Sequence, residues 1–471
     1  AAQDTVESDS FDNQYDADAY YADAYVSDFA ALAAALESAQ EGDVIAIEDS
    51  IELTAALTVP AGVTVVGRND AVIAVPADIA QPITLSQGAK LENLGFTVPA
   101  FTSGQVDIVY MMENTSVTGC TFTGSFAGGD EVSRGIVVAP GAKNVEIANN
   151  TFDALRQPAY INNAATGTVT NNNVTGTKGF VVCSDSKVEF AGNAFFGNVV
   201  DIAIIASNTA VDNYTDVAAI SAANGYAYVE NQVSSESSAK PVVAADATAL
   251  TQALAEAQPG DVIALDPAVT YEGCFEMKNG VVLNGNGATV SNDGSANTFN
   301  VASGVSATIS NVNIQSKNKM YGVHIQPGAG DVIIEGCTIT GTTATMGHSI
   351  WINGNNAGKV VIQNCTINRA INFSGYNSTV SNVTIANNTF TNSLGVRALT
   401  LSGSLENILV SNNAFNGLLG GMARIHEDGA ANFKFVNVVF EGNTGDTKIY
   451  CDTDVEDLYQ QALDNGGIVI K

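Results

Sequence analysis

The sequence predicts an all-β chain: a right-handed parallel β-helix solenoid, duplicated, with short N-terminal capping helices. Three observations predict it. The composition is β-type, with 46% hydrophobic residues, only 14% charged and 44 Gly among 471. A long repeat relates the two halves, and a shorter repeat runs inside each.

In the long repeat, 29–47 (FAALAAALESAQEGDVIAI) matches 247–265 (ATALTQALAEAQPGDVIAL). Each reads as an Ala/Leu helix, a Gly-Asp turn and a β-branched strand, so helices are expected at about 29–40 and 247–258. Asp43 pairs with Asp261 and Gly62 with Gly280 at one offset, and Cys120 with Cys337 at one residue less. The expected organisation is an acidic Tyr-rich tail at 1–27, one unit at 28–235 and a second at 245–451. Residues 452–471 read as a third copy of the opening motif, whose last strand would leave an unpaired edge.

The short repeat aligns IEGCTIT, IQNCTIN, IANNTFT, VSNNAFN and FEGNTGD, whose fourth positions are Cys337, Cys365, Asn388, Asn413 and Asn443. In the first half the equivalent column is read as Cys120, Asn150, Asn173, Asn193, Asn213 and Asn231. Coils of a solenoid stack about 4.8 Å apart. A buried amide in such a column donates to one neighbour and accepts from the other, so an Asn ladder is expected. Cys337 and Cys365 fall on successive coils within disulfide range, with the pairing left open.

The helix followed by GDVI, and the short coils with an NN(T/A)F turn, resemble the pectate-lyase-like superfamily of right-handed parallel β-helices. The resemblance runs from about 28 to 470. It implies the fold, on which lyases, hydrolases, adhesins and phage spikes all occur. The superfamily's polygalacturonase pattern of Asn-x-Asp, paired Asp, Gly-His-Gly and Arg-Ile-Lys is absent, and Gly347-His348-Ser349 is only a fragment of it. No carboxylate cluster for calcium accompanies Arg369 or Arg397 in the sequence.

Alternation along the second unit's strands sorts its side chains. With Ile325, Ile352, Phe373, Leu401 and Ile425 inward, His324, Trp351, Asn372, Thr400 and Arg424 form an outward column. Gln326, Asn353, Ser374, Ser402 and His426 form the next, and Tyr321, His348, Arg369 and Arg397 stand at the strand starts. All three histidines, the one tryptophan and three of the six arginines therefore share one sheet. Such a strip suits stacking on a sugar ring and pairing with a carboxylate, or contact with another protein. The same register in the first unit puts Val137, Tyr160, Val181 and Ile204 outward, an apolar stripe that needs a cover.

The net charge of −31, from 49 acids against 18 bases, argues against nucleic acid and anionic membranes as partners. The start at Ala-Ala-Gln reads as a processed terminus, so an extracellular or cell-surface location is expected. The 1–27 segment holds seven acids, no base and Tyr15, Tyr20, Tyr21 and Tyr25, which are the candidate anchors for assembly.

From the ends and the stripe, the leading expectation is a structural protein that assembles head to tail. The alternatives are a glycan-binding adhesin or a lyase on an anionic glycan, with catalysis the less favoured. No cofactor or metal is expected.

Overall fold

The computed structural model describes residues 21–205, 217–233, 242–292, 296–316, 321–341, 348–391, 397–417 and 421–471. Among them every strand pairing is parallel, and each coil adds one short strand to each face. This is a parallel β-solenoid. The first stack has faces of eight, eight and seven strands. In the second, two faces merge into a 16-stranded sheet beside an eight-stranded one. They merge because Ile371–Ala386 and Leu399–Ser411 run through the corner that other coils turn, with a register shift between Gly375 and Thr379.

Helix α1 (Phe29–Ser38) and helix α3 (Ala247–Glu256) stand at the two sequence positions that read as helical. Asp28 accepts the Ala31 amide and Asp246 the Ala249 amide, so each helix begins on a carboxylate cap. Leu32 and Leu36 of the one, and Leu250 and Leu254 of the other, close the ends of two separate hydrophobic cores. Helix α2 (Val217–Ala223) follows the first stack, and helix α4 (Glu456–Asp464) follows the second. None of the described helices is long and apolar enough to cross a membrane.

The turn before each ladder position explains the Asn-Asn and Gly-Asn pairs. Asn149, Asn171, Asn387 and Asn412 have φ between 54° and 57°, and Gly119, Gly192, Gly336 and Gly442 take the same left-handed conformation. Only Gly and Asn adopt it cheaply. The residue that follows then points inward. Cys120, Asn150, Asn172, Asn193 and Asn224 form the first column, and Cys365, Asn388, Asn413 and Asn443 close the second.

Each amide is fully engaged. Asn172 Oδ1 accepts from Asn150 N and Nδ2 at 2.9 and 3.0 Å, while Asn172 Nδ2 donates to Asn193 Oδ1 and Ile147 O. The column corrects two expected members and leaves a third, Asn213, outside the described residues. In the run Asn171-Asn172-Asn173 the left-handed residue is Asn171, so Asn172 enters the ladder and Asn173 faces out. Asn231 lies on a strand of another face. Beside the ladder run stacked phenylalanines, with Phe96–Phe122 at 4.9 Å, Phe122–Phe152 at 5.0 Å and Phe390–Phe415 at 4.9 Å.

The ends fold back on the chain. Ile468–Ile470 pairs with Lys434–Glu441, while Val455, Ala462 and Ile468 join the second core, so α4 closes the stack it follows. The third copy of the opening motif therefore needs no coils of its own. At the other end Ala24–Val26 pairs with Val44–Ile47, and the Arg68 guanidinium sits 5.2 Å from the Tyr25 ring. Tyr21 is exposed, and Tyr15 and Tyr20 lie outside the described residues. All six cysteines are free thiols, with Cys337 and Cys365 buried side by side.

The ladder's register is testable. Asn172→Ala removes the acceptor of the Asn150 backbone N–H, the side-chain donor to the Ile147 carbonyl and one of the two donors to Asn193 Oδ1, costing about 2–4 kcal/mol. Asn173→Ala should cost under about 0.5 kcal/mol, as for a surface site. Urea unfolding of the two variants separates them. Equal losses would contradict this register.

Candidate functional site

The outward columns expected in the second unit are in register across the sheet. Asn300, His324, Trp351, Asn372, Thr400, Arg424 and Tyr450 stand one above another, over an inward column that includes Ile325, Ile352, Phe373, Leu401 and Ile425. Asn353, Ser374 and Ser402 continue beside them. Alternation alone therefore places the whole set on one outer face.

At one end the rings cluster. Tyr321 stacks on Trp351 with centroids 4.7 Å apart and planes at 20°, and His348 meets Trp351 edge-on at 5.0 Å. His324 is fixed by its neighbours: Asn297 Nδ2 donates to its Nδ1 at 3.1 Å, and its Nε2 donates to Asn353 Oδ1 at 2.7 Å. Those two bonds fix the ring's orientation beside the platform. Beyond Trp351 opens a cavity of about 610 Å³, lined by His348, Asn372, Ser374, Tyr376, Ser402 and His426 among others.

The basic residues divide into two kinds. Arg424 is paired, its Nε and Nη2 each 2.7 Å from the carboxylate of Asp452 one coil on. Arg424, expected in the contact strip, lines the cavity with its charge already paired. Burial pushes the Asp452 carboxyl up, but the hydrogen bonds from Arg424 and the Glu427 amide outweigh it and leave it below its usual range. His426 Nδ1 accepts from the Asp428 amide at 3.0 Å.

Arg369 and Arg397 are different. Arg369 is only 4% exposed and, among the described residues, has no hydrogen bond and no ion pair. Its side chain crosses the α-carbon of Gly341, where a β-carbon would stand 2.8 Å from Nε. Arg397 also has an unbonded Nε, and its guanidinium lies 5.8 Å from the Tyr450 ring. His348 Nδ1 is buried without a hydrogen-bond partner among the described residues. Burial, and then the nearby Arg369 charge, pull its pKa down to about 4.

On the same face of the first unit the arginine is paired within the chain. Arg134 reaches Asp107 at 3.5 Å and Gln157 at 2.7 Å, and its guanidinium sits 4.3 Å from the Tyr160 ring. Val137, Tyr160 and Val181 do face outward in register, yet Val137 and Val181 are buried within the chain. Ile204 is a correction. It pairs with Val182 and belongs to the core, so Ala203 holds the outward place. The stripe needs no external cover.

Sequence reading missed Tyr376, 59% exposed where the long strand shifts register, and Asp452, which arrives from a later coil. The run Gly375-Tyr376-Asn377, breaking a β-branched strand, was the available signal for the first.

A family model described as a right handed beta helix region matches residues 279–456. No curated protein matches the chain. Among solved structures, the catalytic unit of a GH87 alpha-1,3-glucanase from Streptomyces thermodiastaticus is 13% identical, over 90% of this chain and 67% of that one, with a TM-score of 0.30. Tailspike protein 3 of Bacteriophage CBA120 is 12% identical over 90% of this chain and 56% of that one, at 0.32. The PL6 family alginate lyase AlyGC is 10% identical over 91% and 97%, at 0.23.

The lowered His348 pKa has a sign. Its unfolded form takes up a proton near pH 6.5 and the folded form only near 4, so stability is lost as pH falls through that window. His348→Gln should remove a loss of at most roughly 3 kcal/mol. Melting curves of both proteins at pH 7 and 4 check this. An unchanged pH dependence in the variant would contradict it.

Proposed function

We propose that this right-handed β-helix protein binds an acidic polysaccharide along the outer face of its second unit. The observation that carries the reading is a pair of arginines just before two adjacent strands, Arg369 and Arg397, whose Nε atoms have no hydrogen-bond partner among the described residues. In a chain of net charge −31, cations left without counter-ions mark a place where an anion is supplied from outside. The stacked Tyr321 and Trp351 rings beside them give a sugar ring an apolar face to lie on. The amide and hydroxyl side chains Asn372, Ser374 and Ser402 offer hydrogen bonds to its hydroxyls. A secreted or cell-surface location fits such a ligand.

A second reading, elimination on a uronate, is favoured by one feature. His348 carries an unbonded ring nitrogen next to Arg369, an arrangement of base and anion neutraliser. A pKa near 4 makes that base weak at neutral pH, so binding without turnover leads. Head-to-tail assembly, expected from the sequence, loses two of its grounds, because Val181 is covered within the chain and α4 closes its own stack.

Titration calorimetry against polygalacturonate, alginate, a sulfated glycosaminoglycan and neutral dextran tests the proposal. At least one acidic polymer should bind and dextran should not, with affinity falling as salt rises. Trp351→Ala should weaken binding about tenfold, in line with an aromatic contact of 1–2 kcal/mol. Arg369→Ala should weaken it further. Equal binding of dextran, or no loss in Arg369→Ala, would overturn the reading. Release of unsaturated uronates that stops in His348→Ala would establish the lyase instead.

A further inference from the structure

The first stack ends against the flank of the second. The second stack contributes a column of strand ends, Asn284, Ser310 and Glu335, which lie in register on successive coils. The first contributes the segment after α2. Asn311 Nδ2 donates to Gly225 O at 2.9 Å, Ser310 Oγ donates to Tyr226 O at 3.2 Å, and the Tyr226 ring lies against the α-carbon of Gly336.

At the centre is Asp201, 1% exposed. Its Oδ1 accepts from Asn198 Nδ2 at 3.1 Å, and its Oδ2 accepts from the Tyr228 amide at 2.8 Å. From the other stack, Asn284 Nδ2 donates to the same Oδ2 at 3.3 Å. Beside it lies a cavity of about 190 Å³, walled by Asn193, Asn224, Tyr226, Asn284, Asn286 and Asn311 among others.

We infer that this contact is a pH-dependent latch: the Asp201 carboxyl, bonded from both stacks, holds them together in acid and loosens them as it ionises. The titratable groups that face the contact are acids. Tyr228 and Glu230 stand on the first stack, bonded to each other at 3.1 Å, and Glu335 stands on the second. Tyr226 lies close to Glu335, Cys337 and Cys365. Among the described residues, no cation acts on Asp201.

Burial pushes the Asp201 carboxyl up to about 7, against the pull of its three hydrogen bonds, and burial raises Glu230 and Glu335 as well. A carboxyl whose pKa is raised in the closed state stabilises that state in acid. The benefit is lost as pH climbs from the solvated value of 3.8 through the closed value. From pH 5 to 9 the opening equilibrium should rise roughly a hundredfold, nearly complete by about pH 8.

Hydrogen exchange on the full chain, expressed as protection factors, reads this directly. Peptides covering 224–230 and 284–288 should lose about two orders of magnitude of protection between pH 5 and 9, while the ladder amides at 147–150 hold theirs. In Asp201→Asn that loss should shrink at least tenfold. Asn284→Ala, which removes only the crossing bond, should lower protection of 224–230 already at pH 5. Small-angle scattering should show the wild-type radius of gyration growing with pH. Constant wild-type protection from pH 5 to 9, an undiminished loss in Asp201→Asn, or full protection at pH 5 in Asn284→Ala would each overturn the latch.

Discussion

Parallel stacking in register is the constraint on which everything else here depends. Each coil lies on the next, so every side chain has an equivalent about 4.8 Å above and below it. A column must therefore be made of residues that tolerate their own kind. Asn does, because one amide's oxygen accepts what the previous amide donates, as Asn150, Asn172 and Asn193 show. Phe does, by stacking at 4.9–5.0 Å. Like charges do not: two cations at that spacing repel by roughly 3 kcal/mol at an effective dielectric of 20.

The two units answer that repulsion in different ways. On the first, the column alternates, so that Arg134 finds Asp107 on one side and Gln157 on the other, with Tyr160 beneath it. On the second, Arg424 is neutralised by Asp452, whereas Arg369 and Arg397 have no anion paired to them among the described residues. The functional reading rests on this contrast. The strands stack alike on both faces, but among the described residues the arginines without a counter-ion stand on the second.

Much of this was legible in the sequence, for a physical reason. In a solenoid, contact order is short and periodic, so a column of Asn and Cys at coil spacing is already a statement about neighbours. The inward set Ile325 to Ile425 and the outward set His324 to Arg424 followed from alternation once one coil was placed. What alternation cannot supply is register at an irregular turn. The triple Asn171-Asn172-Asn173 hid which residue takes the left-handed backbone, and Ile204 slipped by one place for the same reason. Pairing was equally hidden. Whether an arginine is satisfied depends on what the next coil brings, as Asp452 does for Arg424 and nothing described does for Arg369. Asp201 reads in the sequence as an ordinary strand start, because its Asn284 bond comes from 83 residues away.

The measurement that bears most directly on this account is a hydrogen-exchange footprint of the full chain with and without an acidic oligosaccharide that binds it. The account predicts slowed exchange in 321–326, 348–354 and 397–402 of the second unit, the segments that carry Tyr321, Trp351 and Arg397, and no change at 132–138 or 157–161 of the first. Protection that falls on the first unit, or that spreads over both ends and spares the second unit's face, would contradict it.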